Sequence, residues 1–275
     1  MKIGVRAHDF GRHHVSDLPQ IISNAGFETV QLAITKAISS ITAFTEINDD
    51  LLFSIRESFE THGVDISVLG CYIEPSLYDK EKRMQNVALF KLGIEHAKKL
   101  GVNIVGTETT NLDIETSTSE REKAYQLLKD SILRMSETAE KMDVCIGIEP
   151  VAEHVLNTPE LAARLFDEVD SNKLRIIFDP VNLVLSNTIN RQNEIYRQLF
   201  DFFGSKIAVL HIKDTTFDGK NKVWQNIGKG LIDYNFIFSL LRRYTPKIPL
   251  LREGVAMDSY QKDIKTMHTL IQRTY

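Results

Sequence analysis

Three short stretches repeat one junction: "AGFETVQL" (25–32), "HGVDISVL" (62–69) and "LGVNIVGT" (100–107). Each is a helix end, a glycine, an apolar residue, a polar residue and then a β-prone run. Gly26, Gly63 and Gly101 suit the left-handed position that closes a helix before the chain turns. A fourth copy, "KMDVCIGI" (141–148), puts Asp143 in the glycine's place. The segments before the junctions have helical period: Met84, Val87, Phe90, Ile94 and Ala97 fall at steps of three and four, as do Ala124, Leu128, Ile132, Met135 and Ala139. These stripes are core faces. Helix starts are expected at a Ser119–Glu122 capping box and at Thr158 followed by Pro159. Strands are expected near 2–6, 28–32, 65–69, 103–107, 144–148, 174–178, 206–212 and 248–252. Strand and helix alternate throughout, and successive parallel strands need crossovers. Eight such units make a closed (β/α)8 TIM barrel of the α/β class, one domain over 1–275. A doubly wound sheet is the fallback, but "GKGLID" has only two of the three glycines of a dinucleotide fingerprint.

Composition fits that frame. With 43% hydrophobic and 25% charged residues the chain reads as an ordinary globular protein. A net charge of −4 argues against a nucleic-acid surface. No run has membrane-spanning length and the start "MKIGVRAHDFG" has no apolar signal core, so no membrane partner is expected. Cys71 and Cys145 stand far apart in apolar stretches and form no CxxC pair; buried free thiols in a cytoplasmic protein are expected.

Barrel active sites lie at the C-terminal strand ends. There "VGTET" places Glu108, "IGIEP" Glu149 and "RIIFDPVNLV" Asp179. "IAVLHIKD" brings His211, Lys213 and Asp214, and "IPLLREG" brings Glu253. Asp179 before Pro180, taken alone, is a turn starter. Converging Glu149, Asp179 and Glu253, however, would repel one another unless a cation sits among them. Oxygen ligands with one imidazole suit one divalent ion, Mn²⁺ first, with Mg²⁺, Co²⁺ or Zn²⁺ as alternatives. The competing reading is a set of rim salt bridges to Lys213, Arg252 or Arg6.

"GIEP", "FDPVNLV", "HIKD", "IGKGLIDY" and "REG", in that order, resemble the xylose isomerase-like barrel superfamily of sugar isomerases and epimerases. "GCYIEPSLYD" and "IVGTETTN" extend the likeness over nearly the whole chain. The resemblance implies Glu149, Asp179, His211 and Glu253 as ligands of one metal, with Glu149 and Glu253 also shuttling protons. It departs in places. Ketohexose 3-epimerases of the superfamily carry a histidine three residues after the aspartate ligand and an arginine six after the histidine ligand; here Asn182 and Phe217 stand there. Abasic-DNA repair members bind three zinc ions with additional histidines, where this chain has Glu108 and Asn182, which argues against nuclease chemistry.

The resulting expectation is a metal-dependent isomerase or epimerase of a sugar or similar carbonyl compound, acting by proton removal next to a metal-held carbonyl through an enediolate. The alternatives are a dehydratase of the inosose or dehydroshikimate type, and a non-catalytic sugar-binding barrel. Substrate contacts are expected from His8, Glu108, His154, Asn182 and Lys213. Lys213 has the option of pairing with Glu108, and the lone Trp224 either lines the pocket or packs on the barrel. His62, His96 and His268 are expected to face solvent from helices. The substrate, set by loops such as 33–47, 72–80 and 214–227, and the oligomeric state, a homo-oligomer or a single chain, stay open.

Overall fold

A computed structural model of the chain describes residues 1–113, 115–245, 247–254 and 259–274. The glycine junctions behave as read: Gly26, Gly63 and Gly101 have φ of 92°, 66° and 73°, and Asp143 adopts 57° in the same role. Each reverses the chain into a strand. The strands in chain order are β1 (Ile3–Arg6), β2 (Thr29–Leu32), β3 (Asp65–Gly70), β4 (Ile104–Glu108), β5 (Cys145–Glu149), β6 (Leu174–Phe178), β7 (Ile207–Ile212), β8 (Asp214–Asp218), β9 (Asn221–Gln225) and β10 (Leu250–Arg252). All but β8 and β9 are parallel and close in the order β1-β10-β7-β6-β5-β4-β3-β2. This is the expected (β/α)8 barrel, with helices such as Lys80–Leu100 and Thr118–Met142 packed outside.

Three local expectations fail. The capping box is Ser117 with Glu120, two residues before the expected pair, and the helix starts at Thr118. Both Ser-x-x-Glu pairs satisfy the pattern; the first one wins because the chain is still extended at Ser117. His96 is 3% exposed and stacks on Phe44 with ring centroids 5.3 Å apart, because its helix face packs against the 44–46 turn. Segment 214–227 is no open loop: β8 and β9 pair as an antiparallel hairpin over the barrel mouth, from Asp214↔Gln225 to Asp218↔Asn221. Thr158, by contrast, caps its helix as expected, accepting from Leu161 N ahead of Pro159. Cys71 and Cys145 are both free thiols, the first buried and the second partly so. Among the described residues no helix is long and apolar enough to cross a membrane.

Inside the barrel a small apolar layer of Val68, Ile177, Val209 and Leu251 forms its own cluster. Side chains alternate along a strand, so residues two positions further on share this inward face. They are Asp179 after Ile177, His211 after Val209 and Glu253 after Leu251. On β4 and β5 the layer is glycine. A Cβ at Gly106 would lie 2.8 Å from Ile177 Cδ1, and one at Gly147 2.9 Å from it. Ile177 therefore fills the space those two strands leave, directly beneath Glu108 and Glu149.

Candidate metal centre

Four strand ends deliver Glu149, Asp179, His211 and Glu253 to one point, each 7% exposed or less. Glu149, Asp179 and His211 offer ligand atoms that all lie within 4.8 Å of one another. His211 Nδ1 is the centre of the group: it stands 3.3 Å from Glu149 Oε2, 3.3 Å from Glu253 Oε1 and 3.7 Å from Asp179 Oδ2. Ligand bonds of about 2.1 Å arranged tetrahedrally put neighbouring ligand atoms about 3.4 Å apart. The spacings of Glu149, Asp179 and His211 fit one ion, and Glu253 adds a carboxylate on the same imidazole nitrogen.

The remaining atoms of these groups are held from behind. Gln31 donates its Nε2 to Tyr72 Oη at 2.8 Å, so its Oε1 accepts from His211 Nε2, also at 2.8 Å. That orientation puts the imidazole proton on Nε2 and turns the Nδ1 lone pair toward three carboxylates. Asp179 Oδ1 accepts from the backbone N–H of Val181 and Asn182, both at 2.9 Å. Asn182 Nδ2 donates to Glu149 Oε1 at 2.6 Å. Orientation of ligands by such outer contacts is characteristic of metal sites.

The lone pair facing carboxylates demands a positive charge at Nδ1. Burial opposes the imidazolium, but Glu253 and Glu149 outweigh it and hold the His211 pKa well above its ordinary value. His211 Nδ1 and Asp179 Oδ2 are buried without a hydrogen-bond partner. Lys213 Nζ stands 2.7 Å from that Asp179 oxygen as an ion pair, off the hydrogen-bonding directions, and donates to Glu253 Oε2 at 2.9 Å. Part of the salt-bridge reading therefore holds. Lys213 pairs with Asp179 and Glu253, while Arg6 reaches Glu253 at 3.7 Å and Arg252 binds Asp263 at 2.7 Å. Lys213 is not paired with Glu108.

Two cavities flank the cage. One, about 470 Å³, is lined by Arg6, Lys213, Trp224 and Glu253. Trp224 is 61% exposed, its ring 5.5 Å from Lys213 Nζ. The other, about 360 Å³, holds Tyr72, Glu108 and His154. Glu108 Oε2 lies 3.8 Å from His154 Nε2. Burial, then the charges of Glu149 and Glu253, pushes Glu108 up to about 7. Burial and the nearby Arg6 push His8 down to about 4, at the turn after β1.

Two groups escaped the sequence reading. Gln31, 3% exposed on β2, sets the His211 tautomer; a polar residue inside the short apolar run "TVQL" was its signal. Asp214 was read as a strand end and is a staple. Its Oδ1 accepts from Thr215 N (2.9 Å) and Ile232 N (3.3 Å), its Oδ2 from Gly228 N (2.9 Å) and Gly230 N (3.0 Å). A Cβ at Gly230 would lie 2.1 Å from Asp214 Oδ1, so the glycines of "IGKG" wrap a carboxylate rather than a dinucleotide.

The profile of the family described as xylose isomerase-like TIM barrel matches residues 19–266. The chain belongs to that family. D-psicose 3-epimerase of Enterocloster bolteae is 28% identical over 123 residues, 42% of this chain and 38% of the relative. The match thus spans well under half the relative's length. Within the xylose isomerase-like fold, the structure of a D-tagatose 3-epimerase-like protein superposes with a TM-score of 0.81 at 18% identity, covering 100% of this chain and 98% of the other. The IolI protein with a bound zinc atom gives a TM-score of 0.78 at 19% identity, covering 100% and 99%.

Proposed function

We propose that the protein is a divalent-metal-dependent isomerase or epimerase of a sugar or related small carbonyl compound, with residues 1–275 as its one catalytic domain. The observation that carries this reading is the buried cage in which Glu149 and Glu253 approach His211 Nδ1 from strands on either side, at 3.3 Å each. Glu149, Asp179, His211 and Glu253 would hold the ion. Mn²⁺ is the first choice for this oxygen-rich set, with Mg²⁺, Co²⁺ and Zn²⁺ as alternatives. When bound, the ion supplies Lewis acidity toward a carbonyl and its neighbouring hydroxyl.

The chain's own groups do the rest. One of Glu149 and Glu253 takes the proton from the carbon beside the carbonyl; the other returns a proton on the opposite face or at the neighbouring carbon. Asn182 holds Glu149 by one oxygen and leaves the other toward the cage. Lys213, Glu108 and His154 would meet the substrate's oxygens from the two flanking cavities, and His8 from the turn after β1. The partial similarity to a ketohexose epimerase supports the reading. The free thiols support a reducing, cytoplasmic setting. A dehydratase is the second reading, favoured by Glu108: a carboxyl with a pKa of about 7 is a suitable acid for a leaving hydroxyl.

Proton NMR in D₂O tests this, with metal-loaded protein and a panel of ketoses, aldoses, hydroxypyruvate-like acids and inososes. An isomerase or epimerase exchanges deuterium beside the carbonyl and reaches an equilibrium mixture without losing water. Loss of water from an active substrate would establish the dehydratase. Binding of a sugar with no exchange in any substrate would favour the non-catalytic barrel.

A further inference from the structure

Lys213 reaches directly into the proposed metal cage. Its ammonium is the nearest fixed positive charge to two of the four proposed ligands, 2.7 Å from Asp179 Oδ2 and 2.9 Å from Glu253 Oε2. The Asp179 contact falls on the ligand-side oxygen, since the other oxygen is already taken by the Val181 and Asn182 N–H groups. An ion bonded to that oxygen at about 2.1 Å would lie no further than about 4.8 Å from Nζ. A monovalent and a divalent cation at that separation in a buried site repel strongly. Asn182 on Glu149 and Gln31 on His211 touch atoms that point away from the cage, and so are compatible with an ion. Lys213 is not.

The side chain also has somewhere to go. Its exit is the 470 Å³ cavity it already lines, beside the indole face of Trp224, whose ring centre is 5.5 Å from Nζ. A cation over an aromatic face keeps part of the attraction it gives up on leaving a carboxylate. Its backbone does not need to move: Lys213 N–H donates to Tyr234 Oη at 3.1 Å, and the same hydroxyl donates to Lys213 C=O at 2.6 Å.

We propose that Lys213 and the metal are alternative counter-ions of one cage: metal binding drives the Lys213 ammonium off Asp179 and Glu253 into the Trp224 cavity, where it is free to bind an anionic or strongly polarised oxygen of the substrate. This rests on the metal reading of the cage. Lys213 is then a positioning residue in one state and a substrate contact in the other, and metal must bind before substrate. An ordinary ligand-orienting residue makes the opposite prediction, since removing one typically weakens metal binding about 10–100-fold.

The test titrates chelator-treated wild-type protein and Lys213→Met with Zn²⁺ against a chromophoric competitor. Emission of Trp224, the chain's one tryptophan, is followed in parallel. The expected result is Zn²⁺ binding at least about tenfold tighter in Lys213→Met, because no buried ion pair has to be broken first. The wild-type emission should change on Zn²⁺ addition, and the Met variant's should not. Equal or weaker binding by the variant overturns the inference and leaves the metal reading standing. No binding of Zn²⁺, Mn²⁺ or Co²⁺ by either protein overturns the metal reading itself. If Lys213→Met does not fold, reductive methylation of the wild type decides: Lys213, 8% exposed, should be protected without metal and labelled with saturating Zn²⁺. Equal protection in both overturns the inference.

Discussion

Replacing Asp214 with asparagine should unfasten the hairpin over the barrel mouth. The carboxylate accepts four backbone N–H groups, two on each oxygen. An amide has one accepting oxygen, so whichever way it is placed, its NH₂ meets two N–H donors. The cheaper placement turns it toward Gly228 and Gly230, because Gly228 is an exposed residue whose N–H can turn to water once freed. Each hydrogen bond to a charged group contributes about 1.5–3 kcal/mol, and water recovers part of one of the two that are lost. The expected cost is about 3 kcal/mol in urea unfolding, which exceeds the usual effect of a loop substitution. Hydrogen–deuterium exchange should localise it, with faster exchange across 214–232 and little change in the barrel strands. Gly230→Ala, whose Cβ would collide with the same carboxylate, should reproduce the pattern. A cost below about 1 kcal/mol together with unchanged exchange in 214–232 would refute the staple.

Asp179→Ala and His211→Ala should each abolish stoichiometric metal binding while the far-UV circular dichroism persists; elemental analysis after reconstitution with Mn²⁺, Co²⁺ or Zn²⁺ checks this. Glu149→Gln and Glu253→Gln should each lower turnover about 10²–10⁴-fold, the usual contribution of a positioned acid or base, measured as deuterium exchange, and a variant with full metal and near wild-type turnover would remove that glutamate from proton transfer. Burial, helped by Lys99, lowers the His96 pKa below its ordinary 6.5. The unfolded chain therefore takes up a proton there, as pH falls below about 6.5, that the folded chain refuses. Stability from this group is intact above that pH and lost below it, and denaturation of His96→Leu across pH 7.5 to 5 should show a shallower decline than wild type.

The glycine junctions and the strand ends were legible because each depends on a local property: a positive φ after a helix, and a charged residue at the close of an apolar run. Glu149, Asp179, His211 and Glu253 could be picked out for that reason. Pairing of the outer groups was not legible. Lys213 chooses Asp179 and Glu253 over Glu108 because the barrel order sets β7 between β10 and β6, with Glu108 on β4 beyond β5. That order is a tertiary fact. The hairpin, in contrast, had left a signal: "TTFDGKNKVW" places Asp-Gly between two β-prone runs, and Gly219 takes φ 58° at the tip. The reading of 214–227 as a substrate-setting loop left that signal unused. His96 was misjudged because a histidine on a helix is ambiguous until the partner of that face is known.

Ile177 gives the cage an unequal foundation. Beneath Asp179, His211 and Glu253 the barrel has a side chain on the same strand, whereas beneath Glu108 and Glu149 it has only hydrogen atoms, and the lateral reach of Ile177 supplies the missing support. One isoleucine on β6 thus packs under the neighbouring β5, beneath the strand ends that carry Glu149 and Asp179. Shortening it to valine deletes a single methyl group, a loss of about 1 kcal/mol that a barrel of this size survives. The spacing on which an ion depends has no comparable reserve. With the proposed ion in the cage, drift at position 177 would therefore retune the metal preference in proteins that still fold, through a residue outside the ligand set.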